Sequence, residues 1–417
     1  MSAKWFISRT VRRAGHMHKH VCKLVSSQRD VLPPDRIQKI EVALDELKAS
    51  IHRNGDKKQI LDQMQVVADT ANKNLKAYPF PAWRENIEVL LVAIAVAMAI
   101  RTFFIQPFKI PTGSMQPTLF GVTSNPDFSR QGGFESDLKP QPDFEVPNPL
   151  VGFLRFWWSG ISYTHLVAET DCRFAQEDPP KRFLLFNLWQ TLTFETPNGA
   201  KSHKVWFPAD NMVQRAGLAN AFGFKNPKVF KAGEDIIKLK SVSGDHLFVD
   251  RMTYNFRRPT RGEIIVFETR GIESLPQDQF YIKRMVALGG ERVQIGNDRH
   301  LVIDGKRLDT STPHFEKVYS FPPERPPRKS EYSGHLNDAT AMQSGFGHLA
   351  PLFPDEKATF TIAPSHYMVM GDNTVDSSDS RSWGDFPEQN VIGKSFFVYW
   401  PFGSQNGKPS RFGWGIR

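Results

Sequence analysis

A long apolar segment is directly followed by the run Pro107-Phe108-Lys109-Ile110-Pro111-Thr112-Gly113-Ser114-Met115-Gln116-Pro117-Thr118-Leu119. The prolines in this run disfavour a helix and hold the backbone extended. Gly113 has no side chain, so another chain can approach the backbone closely beside it. The run is therefore predicted to expose Ser114 at the edge of a β structure, directly after the apolar segment.

The apolar segment before this run covers residues 87–105 and predicts a helix that crosses a membrane. As a helix it would be about 28 Å long, close to the thickness of a hydrocarbon core. Its charged residues, Glu88 and Arg101, lie near its ends, where their side chains can reach the polar interface. Because the uninterrupted apolar run over residues 89–100 is short, a buried core helix is the alternative interpretation.

The positive charge of the chain is concentrated before the apolar segment. The net charge is +9, and residues 1–84 contain 16 Lys and Arg against 8 Asp and Glu. The rest of the chain is close to neutral, so neither a basic surface nor a nucleic-acid partner is predicted. Basic flanks stay on the cytoplasmic side of a membrane, which predicts an inner N-terminus and an outer location for everything after Ile105.

The N-terminal segment also carries a helical pattern. Residues 35–76 repeat apolar side chains at helical spacing, and Asn54-Gly55 interrupts the pattern, which predicts two helices. Asp35 follows two prolines and is the expected N-cap of the first helix. A solvated helical anchor and a partner-binding segment both fit this pattern.

An alternating set of metal-ligand residue types lies nearer the N-terminus. The set consists of His16, His18, His20 and Cys22. It lies in a basic segment that is expected to be mobile, and no second pair of ligands follows at standard spacing, so no metal site is predicted. The other cysteine of the chain is Cys172, which excludes a disulfide scaffold.

After residue 235 the sequence consists of short β-forming runs separated by turn residues. The main runs are residues 247–249, 263–267, 280–286, 293–295, 301–303, 367–370 and 395–400. Asp304-Gly305 is a strong signal for a two-residue hairpin. These features predict a mainly β domain.

Two stretches interrupt the β pattern. Residues from about 121 to 240 begin in a loop rich in Gly, Pro and Asp and continue with aromatic clusters, which predicts an inserted subdomain. The aromatic cluster at residues 153–158 is expected to pack in a core, with lipid contact as the alternative. Residues from about 313 to 357 contain two Pro-Pro pairs and predict a loop-rich insertion.

Ser114 needs a neighbouring base, because a serine hydroxyl is a weak nucleophile until its proton is removed. No Ser/His/Asp spacing and no Gly-x-Ser-x-Gly elbow accompanies it. Lysine is the other candidate base, but it must be desolvated, since its ordinary pKa is about 10.4. Lys283 has the most apolar surroundings of any charged residue in the outer part. A strand lysine that points to water is the alternative.

Four runs resemble, in the same order, the sequence boxes of the type I signal peptidases. They are PTGSMQPTL at 111–119, GDHLFVD at 244–250, KRMVALGG at 283–290 and GDNTVDSSDSR at 371–381. Their order, directly after a predicted membrane segment, makes the resemblance specific. It leaves out residues 1–84 and about 121–240.

The resemblance implies a membrane-anchored enzyme with a mainly β catalytic domain of the signal-peptidase type. A basic helical cytoplasmic segment (1–84) and one transmembrane helix (85–106) would precede a Ser/Lys peptidase domain (107–417) on the periplasmic face of the inner membrane. The implied reaction cleaves signal peptides from exported preproteins after small residues in Ala-x-Ala sequences, through an acyl-enzyme. No cofactor is implied, and the implied partners are preproteins, the lipid bilayer and the protein-export machinery.

The resemblance also implies roles for individual residues. Ser114 corresponds to the nucleophile and Lys283 to the general base. Ser377 corresponds to a serine that orients the lysine by a hydrogen bond. The Ser114 backbone N–H would donate a hydrogen bond to the oxyanion. Thr112 stands where many family members have a serine that completes the oxyanion hole.

Two further groups of residues follow from the same resemblance. Asp379 and Arg381 correspond to a structural pair, with Arg284 close to them. The apolar walls of the two pockets for small side chains correspond to Phe108, Ile110, Met115 and Ile282.

Two other classes of protein fit parts of the sequence. The Ser/Lys self-cleaving repressors share a related β fold, but they carry DNA-binding helices and no membrane span. A catalytically inert membrane scaffold that binds signal peptides would need none of Ser114, Lys283 and Ser377. The presence of all three residues disfavours the scaffold.

Overall fold

The computed structural model describes residues 8–53, 56–76, 81–128, 144–220, 223–320, 334–405 and 408–413. The chain divides into two compact units, Met1–Ala95 and Val96–Arg417. The predicted break at Asn54-Gly55 lies outside the described residues.

The N-terminal unit contains three helices whose apolar faces form a common core. They are Arg9–Ser27 (α1), Pro34–His52 (α2) and Lys57–Asn74 (α3). Ile40, Leu47 and Val67 are fully buried in this core. The two helices predicted over residues 35–76 are therefore confirmed.

The segment that holds residues 16–22 is part of α1, because an apolar face packs in the core and the Ser8 side chain caps the helix at the backbone N–H of Val11. One expectation for this unit is wrong. Pro33 and not Asp35 occupies the N-cap position of α2. Proline is favoured in the first turn, so the helix starts two residues earlier than predicted and Asp35 lies in the first turn, where its charge complements the helix dipole.

The apolar segment is a helix, Pro81–Ala99 (α4), followed by a π-helical turn, Ile100–Phe104. Residues Glu85–Phe104 have a mean hydropathy of 2.2, and by length and composition this stretch can cross a membrane. None of that stretch is buried, so the alternative of a buried core helix is wrong.

The second unit contains 19 strands, five further α-helices and two 3-10 helices, Thr374–Asp376 and Glu388–Asn390, among the residues that the structure describes. The strands are Ile105–Lys109 (β1), Thr123–Asn125 (β2), Ile161–Val167 (β3), Cys172–Glu177 (β4), Lys181–Phe183 (β5), Phe186–Thr196 (β6), Gly199–Trp206 (β7), Val229–Phe230 (β8), Asp235–Val242 (β9), His246–Asp250 (β10), Ile264–Glu268 (β11), Phe280–Leu288 (β12), Arg292–Ile295 (β13), Leu301–Ile303 (β14), Lys306–Arg307 (β15), Phe360–Thr361 (β16), His366–Met370 (β17), Phe386–Pro387 (β18) and Val391–Trp400 (β19). The helices are Pro149–Ser159 (α5), Met212–Arg215 (α6), Thr253–Phe256 (α7), Asp338–Gln343 (α8) and Ser380–Trp383 (α9).

The largest sheet of this unit has seven strands in the order β1-β10-β19-β11-β12-β17-β18. All neighbouring strands in it are antiparallel. β1 forms one edge, so the run that leads to Ser114 lies at the rim of the sheet. The mainly β fold and the strands predicted after residue 235 are confirmed.

A four-stranded sheet, β15-β14-β13-β16, extends the β structure. Asp304 and Gly305 join β14 to β15 with φ values of 49° and 79°, as a tight two-residue hairpin requires, which confirms the predicted turn. Phe315 and Phe353, from the stretch expected to be loop-rich, are fully buried in the core beside this sheet.

Residues between β1 and β10 form two more sheets. One has three strands in the order β2-β9-β3, and the other contains β5-β6-β4-β8, with β7 paired to β6. Phe174, Phe194 and Phe230 belong to a separate core of this region.

The aromatic cluster at residues 153–158 was expected to be buried, and this expectation is wrong. The cluster lies on helix α5, where Phe153, Trp157 and Trp158 are 45%, 47% and 64% exposed and Phe156 is half-buried. The helix forms because Asn148 caps it, accepting from the N–H of Val151 at 2.9 Å, and Gly160 ends it with φ 67°. These local signals outweigh the β preference of the aromatic side chains.

Candidate active site

Strand β1 and the turn after it position Ser114. The backbone N–H of Ile110 donates to the carbonyl of Asp245 at 2.9 Å, which holds the end of the strand against the neighbouring sheet residues. The chain then turns, and Met115 and Leu119 are fully buried at 0% exposure. Ser114 stands at the start of this turn and is 5% exposed, so the prediction that the run exposes it is wrong.

Lys283 reaches Ser114 from the middle of the same sheet. Its Nζ lies 2.8 Å from Ser114 Oγ, and the two residues are 169 positions apart in the chain. The lysine is on β12, opposite Ile265 of β11, and is 5% exposed. The strand lysine therefore does not point to water, and the two residues form a buried pair.

Burial changes the acidity of the lysine. Desolvation is the main cause, and it lowers the pKa of Lys283 from 10.5 to about 8. The charge of Arg381 acts in the same direction, whereas the carboxylate of Asp379 acts against it. A substantial fraction of Lys283 is therefore neutral near pH 8, which a general base requires.

The two predicted supporting hydroxyls occupy different positions. Thr112 is exposed, and its Oγ1 lies 3.4 Å from Ser114 Oγ. Ser377 Oγ is buried close to Asp379, and it makes no hydrogen bond to Lys283 among the described residues. A Cβ at Gly371 would overlap both Ser377 Oγ and the Ser114 carbonyl oxygen, so glycine is needed where this loop meets Ser114.

Two buried ion pairs lie beneath the pair of Ser114 and Lys283. Arg381 holds Asp379 in a bidentate contact at 2.8 and 2.9 Å, and Arg284 holds Asp372 in another at 2.7 and 2.6 Å. Burial acts to raise the pKa of Asp379, but the Arg381 guanidinium outweighs it and the pKa is lowered. Arg284 therefore pairs with Asp372 and not with the Asp379–Arg381 pair.

Three residues of this network were not predicted from the sequence. Asp372 is the partner of Arg284, and Thr118 Oγ1 donates to its carboxylate at 2.5 Å. The backbone N–H of Asn373 donates to the Ser114 carbonyl at 3.0 Å, and its side chain donates to the Gly113 carbonyl at 3.1 Å. The sequence signal that could have identified these three residues is that they are polar residues within the runs 111–119 and 371–381.

The four residues predicted to form apolar walls lie together. Ile110 and Met115 are buried in one cluster, and Phe108 and Ile282 pack against it. Phe108 also makes an edge contact with Phe280, with ring centroids 5.4 Å apart. The apolar cluster thus lies immediately beside the chain that leads to Ser114.

The histidines of the N-terminal segment do not assemble a metal centre. Cys22 Sγ lies 3.7 Å from His18 Nδ1, one helical turn away. Across the ranges that the structure describes, no group of three or more His, Cys, Asp and Glu side chains could hold a metal ion.

Comparison with known proteins identifies relatives of this chain. A model of the family described as "Signal peptidase, peptidase S26" matches residues 83–123 and 238–400. A signal peptidase I of Leptolyngbya laminosa is 30% identical over 162 residues, which cover 38% of this chain and 61% of that protein. The signal peptidase I of Pseudomonas aeruginosa is 27% identical over 190 residues, covering 38% and 60%. That of Mycobacterium tuberculosis is 28% identical over 207 residues, covering 41% and 60%.

The chain thus spans less than two thirds of the length of these relatives. Among solved structures, a signal peptidase I from Enterococcus faecalis is 23% identical, with a TM-score of 0.21, and covers 33% of this chain and 97% of that one. The family match includes both Ser114 and Lys283. Over residues 83–123 and 238–400 the chain is similar to the signal peptidases of family S26.

Proposed function

We propose that this chain is a membrane-anchored signal peptidase that uses Ser114 as nucleophile and Lys283 as general base. The observation that carries the proposal is the 2.8 Å distance between Lys283 Nζ and Ser114 Oγ at a buried position. The lowered pKa of Lys283, about 8, supports a role as a base. An inert scaffold would gain nothing from burying a lysine against a serine, because desolvating the lysine opposes folding.

The reaction is an acyl transfer in two steps. Neutral Lys283 accepts the Ser114 proton while Ser114 Oγ attacks the substrate carbonyl, and the protonated lysine then donates to the leaving amine. The backbone N–H of Ser114 and the Thr112 hydroxyl stabilise the oxyanion. Neutral Lys283 next activates the water that hydrolyses the acyl-enzyme. The charges of Asp379 and Arg381 act on the pKa of Lys283 in opposite directions, and Arg381 favours the neutral form.

The substrate binds as an added strand at the open edge of β1. Small side chains fit against the apolar cluster of Phe108, Ile110, Met115 and Ile282, which supports cleavage after Ala-x-Ala sequences. Signal-peptide-bearing preproteins supply such sequences in extended form.

Helix α4 is the single transmembrane anchor in this proposal. The N-terminal unit lies in the cytoplasm and the peptidase domain on the periplasmic face of the inner membrane, as the charge distribution indicates. The lipid bilayer and the protein-export machinery are the further partners. Residues 124–237 lie outside the family match, which supports an inserted subdomain at about 121–240.

The proposed function is tested by incubating the full chain, in detergent, with a signal-peptide substrate that contains Ala-x-Ala. Mass spectrometry is expected to show one cut, directly after the second alanine. Ser114→Ala should abolish this cut. Ser124→Ala is its matched control, because it removes a serine whose hydroxyl hydrogen-bonds Ser241 at 2.9 Å and not Lys283. Absence of cleavage by the wild type would contradict the proposal and support an inert scaffold.

The pH dependence of cleavage follows from the lowered pKa of Lys283. The neutral form is the active form, so kcat/KM is expected to rise as the pH passes through about 8. Between pH 7 and pH 9 the neutral fraction increases about tenfold, and the rate with it. The measurement uses a substrate without titratable side chains near the cut. A profile that is flat over this range would contradict Lys283 as the base.

A further inference from the structure

A cavity of about 580 Å³ lies beside the strand that leads to Ser114. Lys109 and Pro111 form one wall. All other lining residues fall between positions 177 and 214, which the family model does not match. The cavity is thus built by the inserted residues against the nucleophile strand.

The alternation of side chains along the strand places this cavity relative to the apolar cluster. Phe108 and Ile110 belong to the apolar cluster, whereas Lys109 and Pro111 line the cavity. Successive side chains of an extended chain point to opposite faces. The cavity and the apolar cluster therefore lie on opposite faces of the same extended segment.

The same alternation defines the edge that a substrate can use. The backbone N–H of Ile110 donates inward to Asp245, so the N–H and C=O of Lys109 point to the open edge. Pro111, on the same side as Lys109, has no N–H, so Lys109 provides the donor at this edge. A substrate strand that pairs there has its side chains on the same two faces as β1.

An Ala-x-Ala segment in this position directs its two alanines to the apolar face and its x residue to the opposite face. The opposite face holds the cavity. Pro111 is three residues from Ser114, so their Cα atoms are at most about 11 Å apart. The cavity is therefore within reach of a single side chain next to the scissile bond.

The lining of the cavity indicates which side chains it accepts. Lys109 and Asp210 neutralise each other in an ion pair at 2.5 Å, and Asn187 also donates to Asp210 at 2.9 Å. The remaining charges are the carboxylates of Glu177 and Asp178 and the guanidinium of Arg182, so the excess is negative.

We propose that this cavity is a subsite for the x residue of Ala-x-Ala substrates and favours a long basic side chain there. The proposal rests on the proposed function and extends it. A lysine or arginine side chain is long enough to enter the cavity and can donate to Glu177 or Asp178. A glutamate at x faces the same carboxylates and is disfavoured.

The test compares kcat/KM of the full chain, in detergent, for three peptides that differ only at x: Ala, Lys and Glu. We expect the Lys peptide to be preferred over the Glu peptide about three- to fivefold, the range for partly exposed ion pairs. In Glu177→Gln/Asp178→Asn the ratio should fall to about 1, and in Arg182→Gln it should increase. Each variant is normalised to its own rate on the Ala peptide.

Glu195→Gln is the matched control, because Glu195 pairs with Arg173 on the same sheet and does not line the cavity. This variant should keep the wild-type ratio. A wild-type ratio near 1, or a ratio that the double variant leaves unchanged, overturns the subsite while cleavage of the Ala peptide upholds the proposed function. Failure to cleave any of the three peptides overturns the proposed function and the subsite with it.

Discussion

Lys283→Met is expected to reduce kcat by about a thousandfold while KM changes little, because the variant retains the shape of the site and lacks the base. Methionine matches the length of the lysine stem and needs no desolvation of a charge. The lowered pKa of Lys283 shows that its charge is disfavoured in the folded protein. The variant should therefore be at least as stable as the wild type at pH 7.

The matched control is Lys394→Met. Lys394 is also on the seven-stranded sheet, where its Nζ lies 3.4 Å from the carboxylate of Glu263. We expect this variant to retain wild-type kcat. The measurement is steady-state cleavage of an Ala-x-Ala peptide together with urea unfolding of each variant. A folded Lys283→Met protein with more than about a tenth of wild-type kcat would exclude Lys283 as the general base.

Arg284→Met is expected to destabilise the peptidase domain by about 3–5 kcal/mol, because it leaves the Asp372 carboxylate buried without its partner. Arg284 and Asp372 are 0% exposed, and Arg284 also donates to the Gly262 carbonyl at 2.7 Å. Asp372→Asn removes the charge and keeps an acceptor for the arginine, but it leaves the guanidinium without a counter-charge, so it too should be destabilising. The double variant should be less destabilised than the sum of the single variants.

The control for this prediction is Arg292→Met on β13, the next strand along the chain. Arg292 lies 3.8 Å from Asp304, and both side chains are more than half exposed. Exposed pairs contribute little, so the free energy of unfolding should be unchanged within error. The free energy of unfolding of these four variants and of the wild type is measured by urea unfolding in detergent, followed by tryptophan fluorescence. Equal stability of Arg284→Met and Arg292→Met would contradict a structural role for the buried pair.

The strands of the peptidase domain could be predicted because their signals are local. The Asp304-Gly305 turn is an example, since both residues adopt positive φ, which this dipeptide tolerates better than most. The two helices of residues 35–76 were predicted for the same kind of reason. Only the start of α2 was misplaced, by two residues, because Pro33 and not Asp35 is the N-cap.

Helix α5 was not predicted, because its amino-acid composition is typical of a strand. Its Phe and Trp side chains favour strands, and periodicity over so short a segment is weak. Asn148-Pro149 and Gly160 were usable signals, since they provide an N-cap, a proline in the first turn and a left-handed C-terminal residue.

The site itself depended on long-range contacts that no local pattern contains. Ser114 and Lys283 are 169 residues apart, and only the resemblance to a family linked them before the fold was known. Asp372 as the partner of Arg284 and the cavity beside Lys109 are products of tertiary structure.

The most direct test of the central claim is a single-turnover reaction with a substrate labelled on its signal-peptide side and quenched in acid. If Ser114 is the nucleophile, part of the label becomes covalently attached to the protein and maps to Ser114 after proteolysis. Ser114→Ala should give neither the adduct nor the cleaved product. Label attached to another residue, or cleavage by Ser114→Ala at close to the wild-type rate, would contradict Ser114 as the nucleophile.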